Sequence, residues 1–257
     1  MSTIQSLKLA NDMKMHGIEQ SLERRLAEFA ATPSDPSDLV RLLLEDEKID
    51  RDNRKTSRLV SRARFRRNCQ LEDWDHSFDR GISKVQIKEL SHLSFYHNRE
   101  QLLLIGGTGS GKTHLAISLG YRLCQQGIST SFYSTNLLLE EIASQKAAGK
   151  YLMFIKSQAK VGTLILDDFG LRTYDHEEAM ALMDIFEERY RRGSIIITSQ
   201  VKPEGWRSLF EDKVTAEAVV DRLRNPAVCL NIKGGSYRLK HSKNGGDKTV
   251  KTDNTKH

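Results

Sequence analysis

Cysteine is scarce in this sequence, and its spacing excludes the chemistry that cysteine most often carries. The three cysteines, Cys69, Cys124 and Cys229, are far apart, odd in number and include no Cys-x-x-Cys pair. Neither a disulfide framework nor a zinc site is therefore expected. We interpret all three as reduced, ordinary residues.

Long apolar runs are also missing. No stretch approaches the roughly 18 uninterrupted apolar residues that a membrane helix needs, and the first residues mix charged with apolar side chains instead of forming a secretion signal. A hydrophobic content of 38% with 29% charged residues is typical of a globular protein. We therefore expect a cytoplasmic protein with no membrane partner.

A net charge of +6 is the informative feature of the composition. A basic globular protein attracts polyanions, either nucleic acid or anionic lipid. Charge alone does not choose between the two.

Residues 1–68 are predicted to form a small, entirely helical N-terminal domain. Apolar side chains recur at spacings of three and four residues, and Gly17 is expected to mark the break between the first two helices. A third helix is predicted from Asp35, which can cap it, through Pro36 in the first turn to about Phe65.

From Gln101 onward, short apolar runs alternate with amphipathic segments, which is typical of β-α-β units around a parallel sheet. Residues 69–240 are accordingly predicted to be one α/β domain with a five-stranded parallel sheet between helices, and residues 241–257 a disordered tail. The predicted strands are Leu102 to Ile105, Ile128 to Tyr133, Leu164 to Leu166, Ser194 to Thr198 and Ala227 to Ile232. Helices are predicted at 113–126, 137–157, 175–192 and 215–224.

The strongest motif lies between the first predicted strand and the helix that follows it. It fits the phosphate-binding pattern G-x-x-x-x-G-K-[ST] in the right structural context. Its backbone N–H groups would converge on phosphate oxygens, Lys112 would reach the β and γ phosphates, and Thr113 would ligate Mg²⁺. The sequence therefore predicts ATP and Mg²⁺ as cofactors, bound by Gly106, Gly107, Thr108, Gly109, Ser110, Gly111, Lys112 and Thr113.

Two adjacent acids end the predicted strand that begins near Leu164. Asp167 is expected to hold Mg²⁺ and its water shell, on a strand that we expect to neighbour the first strand. Asp168 is expected to orient or deprotonate the attacking water. Taken alone, two aspartates at this place could instead be capping or turn residues.

Two further polar residues are candidates for catalysis. Gln200 follows the apolar strand Ser194 to Thr198 and is expected to lie between the two acids, although such a residue is more often a cap or a turn. Arg222, near the end of a predicted helix, is either a surface charge or a finger that reaches a neighbouring subunit's γ phosphate.

Taken together, these residues resemble the IstB-like branch of the AAA+ ATPases, helper proteins of insertion-sequence transposition that are close kin of DnaC-type helicase loaders. The resemblance spans about residues 5–240. It rests on Asp50 to Arg54, Gly111 to Ile117, Ile165 to Gly170, Arg189-Tyr190, Ile197 to Gln200, Asp221 to Leu223 and Gly235 to Leu239.

The resemblance implies an AAA+ core without a large helical lid, ATP-dependent self-assembly into a ring or helix on double-stranded DNA, and a transposase as partner. It also implies that Arg222 acts in trans. Arg238 matches a position of the family's pattern and is a candidate nucleotide-binding residue, with DNA or a neighbouring subunit as open alternatives.

Two departures from the family's pattern bear on the rate. The family more often has Asp-Glu where this chain has Asp167-Asp168, and Asn where it has Gln200. A carboxylate that is one methylene shorter holds the base about 1 Å further from the water, and small misplacements can cost large factors in rate. We therefore expect slow hydrolysis.

Two basic segments are candidates for DNA contact. Arg51, Arg54, Lys55, Arg58 and Arg62 lie along the third predicted helix, where they suit a phosphate backbone better than base edges. A solvated face or a surface for a protein partner is the alternative. Lys146 and Lys150 belong to a segment that, by the resemblance, lines the inner side of the assembly. Because no base-reading motif is visible, target choice would rest on DNA shape, and DNA bending is a natural mode.

Three functions remain open. The chain could be an ATPase that assembles on target DNA, deforms it and recruits a transposase. It could instead load a replicative helicase, or serve as an ATP-gated scaffold in which hydrolysis is incidental.

Overall fold

The computed structural model describes residues 3–32 and 34–237. The predicted tail and Arg238 lie outside this part of the chain. The first three helices are α1 (Thr3–Asp12), α2 (His16–Ala31) and α3 (Pro36–Ala63), so the helical N-terminal region is confirmed. As predicted, Asp35 caps α3: its side chain accepts a hydrogen bond from the Ser37 backbone N–H at 2.8 Å.

The prediction for Gly17 is wrong. The chain breaks between α1 and α2 at residues 13–15, where Lys14 adopts a positive φ of 57°. Gly17 lies inside α2, and a Cβ there would be 2.5 Å from the Glu47 Cα. The glycine therefore permits the close approach of α2 to α3 and does not end a helix.

The five strands form one fully parallel sheet, as predicted. They are β1 (Gln101–Gly106), β2 (Thr130–Ser134), β3 (Thr163–Phe169), β4 (Ser194–Ser199) and β5 (Ala227–Ile232). Their order in the sheet is β2-β3-β4-β1-β5. The expectation that β3 neighbours β1 is wrong, because β4 lies between them. Apolar patterning identifies strands but carries no information on their order.

Strand side chains alternate between two buried cores, one on each face of the sheet. Leu102 and Leu104 pack on one face, while Leu103 and Ile105 pack on the other. This alternation follows from the two-residue period of a strand. Both faces of the central strands β1, β3 and β4 are covered, so these strands read as largely apolar runs.

Helices cover both faces. The first face is covered by α4 (Lys84–Ser91), α5 (Ser94–His97) and α6 (Lys112–Gln125), and the second by α7 (Thr135–Ala147), α8 (Tyr151–Ala159), α9 (His176–Arg189) and α10 (Lys213–Arg224). Short 3₁₀ helices lie at Leu71–Asp73 and Pro203–Leu209. The sequence patterns did not predict these 3₁₀ helices, nor α4 and α5. Among the described residues, no helix is long and apolar enough to cross a membrane.

The single helix predicted over 137–157 is two helices. Gly149 has a φ of 69°, its N–H donates to the Lys146 carbonyl, and the Lys150 N–H donates to the Gln145 carbonyl. This paired pattern at a left-handed glycine terminates α7. The apolar spacing continues into α8, which is why the break was not visible in the pattern.

The end of α3 packs directly on the α/β domain. A Cβ at Gly120 of α6 would be 2.8 Å from the Phe65 ring, and the Arg64 guanidinium donates a hydrogen bond to the Tyr133 hydroxyl at 3.4 Å. A Cβ at Gly127 would be 2.4 Å from the Lys55 Nζ. These contacts hold the last turns of α3 beside β2 and α6.

Candidate functional site

A cavity of about 470 Å³ opens where β1, β3 and β4 end. The carboxyl ends of parallel strands are where ligands bind in open α/β sheets. Its walls come from three sources: the phosphate-loop segment, the ends of β3 and β4, and the chain before β1. The lining residues that carry the following argument are Arg66, Arg67, Trp74, Arg80, Thr108, Lys112, Thr113, His114, Asp167, Asp168, Gln200 and Tyr237.

The predicted phosphate-binding loop leads from β1 into α6. Gly109 and Gly111 have φ values of 75° and 104°, a conformation that glycine adopts without steric cost. Lys112 is the first residue of α6, and its ammonium group donates hydrogen bonds of 2.9 Å to the Gly106 and Gly107 carbonyls. The loop thus places a cation and a helix N-terminus side by side, an arrangement suited to phosphate.

The two acids at the end of β3 have different environments. Asp167 is 1% exposed, and its Oδ1 accepts hydrogen bonds from the Thr113 hydroxyl at 2.8 Å and the Thr198 hydroxyl at 2.6 Å. The hydroxyl of Thr198 also accepts a hydrogen bond from the Asp168 N–H at 2.9 Å. Thr198 of β4 therefore links the two acids, a role that the sequence analysis did not assign to it.

Asp168 sits at an irregularity of the sheet. The register between β3 and β4 shifts between Leu166 and Phe169, and Asp168 has a φ of 59°. Aspartate tolerates this left-handed conformation better than most residues, and such strain concentrates at functional sites. The bulge re-aims the side chain of Asp168, which lines the cavity.

The residues present fit a magnesium ion that also binds phosphate. Thr113 and Asp167 bring a hydroxyl and a carboxylate together next to Lys112. These are hard oxygen donors, and Mg²⁺ in nucleotide sites takes one or two protein ligands, with phosphates and waters completing the shell. The described residues include no group of three or more acids, histidines or cysteines that would hold a metal by themselves.

Gln200 lines the cavity, but its position differs from the expectation. Its Oε1 accepts a hydrogen bond of 2.8 Å from the hydroxyl of Thr108 in the phosphate loop. The place between the two acids is taken by Thr198. Gln200 thus lies on the loop side of the cavity.

A stacked wall that the sequence analysis missed closes another side of the cavity. The Arg80 guanidinium lies 3.5 Å from the Trp74 ring centroid and 5.0 Å from that of Tyr237. Arg80 is 4% exposed and donates from Nη2 to the Asp75 carbonyl at 2.7 Å. Burial lowers the pKa of Arg80 below its ordinary value. Trp74 and Arg80 lie in irregular chain, where no periodic pattern could have predicted them.

The chain after β5 returns to the same wall. The Tyr237 N–H donates to the Gly109 carbonyl at 3.0 Å, and the Lys233 N–H donates to the Arg80 carbonyl at 2.8 Å. A Cβ at Gly109 would be 2.2 Å from the Ser236 hydroxyl oxygen. Residues 233–237 therefore bind both the phosphate loop and the segment that carries Arg80.

Arg222 does not line this cavity among the residues that the structure describes. It lies in the last turn of α10, where its guanidinium pairs with Glu187 of α9 and its side chain is 28% exposed. Arg222 therefore forms no part of the wall of the nucleotide cavity in its own chain.

The five basic residues proposed for DNA contact are all exposed on α3, but two of them have acidic partners. Arg51 pairs with Glu47 at 2.6 Å and Arg54 with Asp50 at 2.7 Å, each one turn earlier. Glu47 is buried and also accepts a hydrogen bond of 2.8 Å from the Gly17 N–H. Arg51 consequently takes part in the packing of α2 on α3.

The second basic segment lies elsewhere on the domain. Lys150 precedes α8 and is exposed, while Lys146 in the last turn of α7 pairs with Glu177 at 2.9 Å. Beside them, Leu152 and Met153 are 68% and 71% exposed.

Known sequences are similar to this chain over most of its length. A family model described as IstB-like ATP binding protein matches residues 8–245. A Pseudomonas aeruginosa protein named for ATP binding in insertion sequence IS21 is 32% identical over 247 residues, which cover 96% of this chain and 92% of that protein. A Geobacillus stearothermophilus protein named in the same way for IS5376 is 30% identical over 219 residues, 85% of this chain and 87% of its own length.

Solved structures agree on the fold. The DnaC helicase loader superposes with a TM-score of 0.53 at 24% identity, covering 65% of this chain and 97% of that chain. AMPPCP-bound DnaA from Aquifex aeolicus gives a TM-score of 0.55 at 17% identity, covering 71% and 56%. The α/β domain therefore has the P-loop fold of the AAA+ type, as predicted.

Proposed function

The chain belongs to the family of IstB-like ATP binding proteins, and on this premise we propose that it is an ATP-dependent, DNA-binding regulator of transposition. In this proposal it assembles on double-stranded DNA, deforms it and recruits a transposase. The names of its relatives place them in insertion sequences, which supports a transposase as the partner.

The observation that carries the proposal is the arrangement around Asp167. The Asp167 carboxylate accepts one hydrogen bond from the hydroxyl of Thr113 in the phosphate-binding motif and another from the hydroxyl of Thr198 in β4. Thr113 and Asp167 would hold Mg²⁺, which neutralises phosphate charge, while Lys112 binds the β and γ phosphates. Neither contact requires a rearrangement of the sheet.

Hydrolysis needs a group that orients or deprotonates water next to the γ phosphate. Asp168 lines the cavity one residue after Asp167, and the bulge in β3 turns it away from the sheet. We assign it this role, with Gln200 as a polar contact on the loop side. The short reach of an aspartate leads us to expect slow turnover, stimulated by DNA-dependent assembly.

Arg222 completes the proposed site from a neighbouring subunit. Arg222 is absent from the lining of its own cavity, which supports a role in a second chain, and its pairing with Glu187 is exposed enough to be exchanged for a phosphate. An arginine finger can contribute on the order of 10³ in rate by stabilising transition-state charge. This role requires self-assembly.

Mixing two inactive variants tests the assembly and the finger together. Arg222→Ala retains Asp168, whereas Asp168→Asn retains Arg222, so mixed assemblies rebuild some complete sites. We expect part of the DNA-stimulated ATPase activity to return on mixing. If activity stays absent although the variants co-assemble, Arg222 does not act in trans.

Electron microscopy with ATP and duplex DNA tests the function as a whole. We expect ordered assemblies that bend DNA with ATP but not with ADP, and Lys112→Ala should form none. Assembly with no ATP turnover would favour a scaffold. A preference for single-stranded DNA and for a hexameric helicase over a transposase would favour a helicase loader.

A further inference from the structure

The basic helix α3 leads directly into the nucleotide cavity. After its last residue, Ala63, the chain is anchored by Phe65 against Gly120 of α6. The next two residues, Arg66 and Arg67, line the cavity together with Lys112 and Thr113. Neither arginine belongs to the phosphate-binding motif, and the sequence analysis assigned neither of them a role.

Each arginine of this pair lies close to a neighbouring ring. The Arg66 guanidinium lies 5.7 Å from the Phe132 ring centroid, over a side chain that is itself buried. Burial of the ring is the largest cause that lowers the pKa of His114, and the positive charge of nearby Arg67 is the second. Both arginines remain exposed to solvent, so their guanidinium groups are available to a ligand.

The charge of the cavity favours an anion beside Arg66 and Arg67. Asp167 and Asp168 lie at the end of β3, where Mg²⁺ would compensate them. Arg66 and Arg67 line the cavity, and they add two positive charges to that of Lys112. A guanidinium matches the geometry of phosphate oxygens and compensates their negative charge. The base of the nucleotide is uncharged, so it offers a guanidinium no such partner.

We propose that Arg66 and Arg67 bind the phosphate groups of the nucleotide and thereby link nucleotide occupancy to the position of α3. The linkage half rests on the proposed function, because it assumes that α3 binds DNA. Coupling between two sites is reciprocal, so a nucleotide that orders Arg66 and Arg67 strengthens DNA binding by α3, and DNA strengthens nucleotide binding by the same factor.

Nucleotide binding without DNA tests the contact itself. Fluorescent ATP, competed by ATP, ADP or adenosine, is titrated into the full chain carrying Arg66→Gln and Arg67→Gln together. We expect ATP to bind about tenfold more weakly, from the loss of charged hydrogen bonds at partly exposed side chains, and adenosine binding to be unchanged.

Arg64→Gln is the matched control. Arg64 is the residue that follows α3, and its guanidinium lies 5.6 Å from the Tyr133 ring centroid, but it does not line the nucleotide cavity. Its substitution should leave ATP affinity unchanged. Two results would overturn the assignment of Arg66 and Arg67 to phosphate. In one, the double variant binds ATP and adenosine more weakly by the same factor; in the other, it binds ATP as tightly as Arg64→Gln does.

DNA affinity with and without a non-hydrolysable ATP analogue tests the linkage. At saturating analogue, the wild-type protein should bind duplex DNA at least fivefold more tightly, and the double variant should lose this gain while Arg64→Gln keeps it. If the double variant, saturated with the analogue, binds duplex DNA as much more tightly as the wild-type protein does, the linkage is refuted. Arg58→Gln with Arg62→Gln separates the two proposals, because it should weaken DNA binding without changing ATP affinity. If that variant binds DNA normally, α3 is not the DNA surface and the linkage loses its premise, whereas a wild-type protein that binds no duplex DNA would overturn the proposed function.

Discussion

Replacing Thr198 by valine removes the hydroxyl that joins the two acids and changes the shape of the side chain little. Thr198 is fully buried, so solvent screens neither of its hydrogen bonds. The bond to the Asp167 carboxylate is worth about 1.5–3 kcal/mol and the bond from the Asp168 N–H about 1 kcal/mol. We expect Thr198→Val to destabilise the protein by about 2–4 kcal/mol. ATP turnover should fall by roughly 100-fold as Asp168 shifts.

Thr163→Val is the control for this experiment. Thr163 is fully buried at the start of β3, and its hydroxyl has no hydrogen-bond partner among the described residues. Its replacement should be neutral or slightly stabilising. Urea unfolding midpoints, compared at equal m-values, and steady-state ATP turnover measure both effects. If Thr198→Val unfolds at the same midpoint as Thr163→Val and hydrolyses ATP at the wild-type rate, then Thr198 does not support the acids.

Three further predictions follow from the structure. Lys112→Ala should abolish stable ATP binding and ATP-dependent assembly on DNA, and unchanged ATP-dependent retention of DNA on filters would contradict the site. Asp168→Asn should bind ATP with wild-type affinity but lose turnover, so complexes on DNA should last longer; a wild-type rate would remove Asp168 from catalysis. Gly17→Ala should destabilise the protein by about 1–3 kcal/mol, because the new Cβ meets the backbone of α3. Gly235→Ala, whose Cβ meets nothing within 4 Å, should not change the unfolding midpoint.

The parts of the fold that the sequence predicts are those with a local physical signal. Burial on both faces makes the strands apolar runs, and the cap at Asp35 with Pro36 marks the start of α3. Strand order has no such local signal, because β4 enters between β3 and β1 through contacts far apart in the chain. The end of α7 at Gly149 was masked by apolar spacing that continues beyond it.

The residues of the candidate site also differ in whether a local sequence signal predicts them. The phosphate loop and the acids of β3 were predicted, since each is a short motif at the end of its own strand. Trp74, Arg80 and Tyr237 were missed, because they meet only when residues 233–237 return to the chain before β1. Arg66 and Arg67 do carry a signal, positive charge, but in the sequence this does not distinguish them from the basic residues of α3.

The charges of α3 are therefore not equivalent, although the sequence presents them as one stripe. Arg51 pairs with Glu47, a buried carboxylate that also receives the Gly17 N–H of α2. Removing Arg51 would leave that carboxylate with less compensation, so its loss would disturb the packing of α2 on α3 whether or not DNA is present. Arg58 and Arg62 have no acidic partner among the described residues, and they lie nearest to the anchored end of the helix. DNA binding by α3 should accordingly centre on this last stretch, where a phosphate backbone would lie within a few residues of Arg66 and Arg67, the arginines that line the nucleotide cavity.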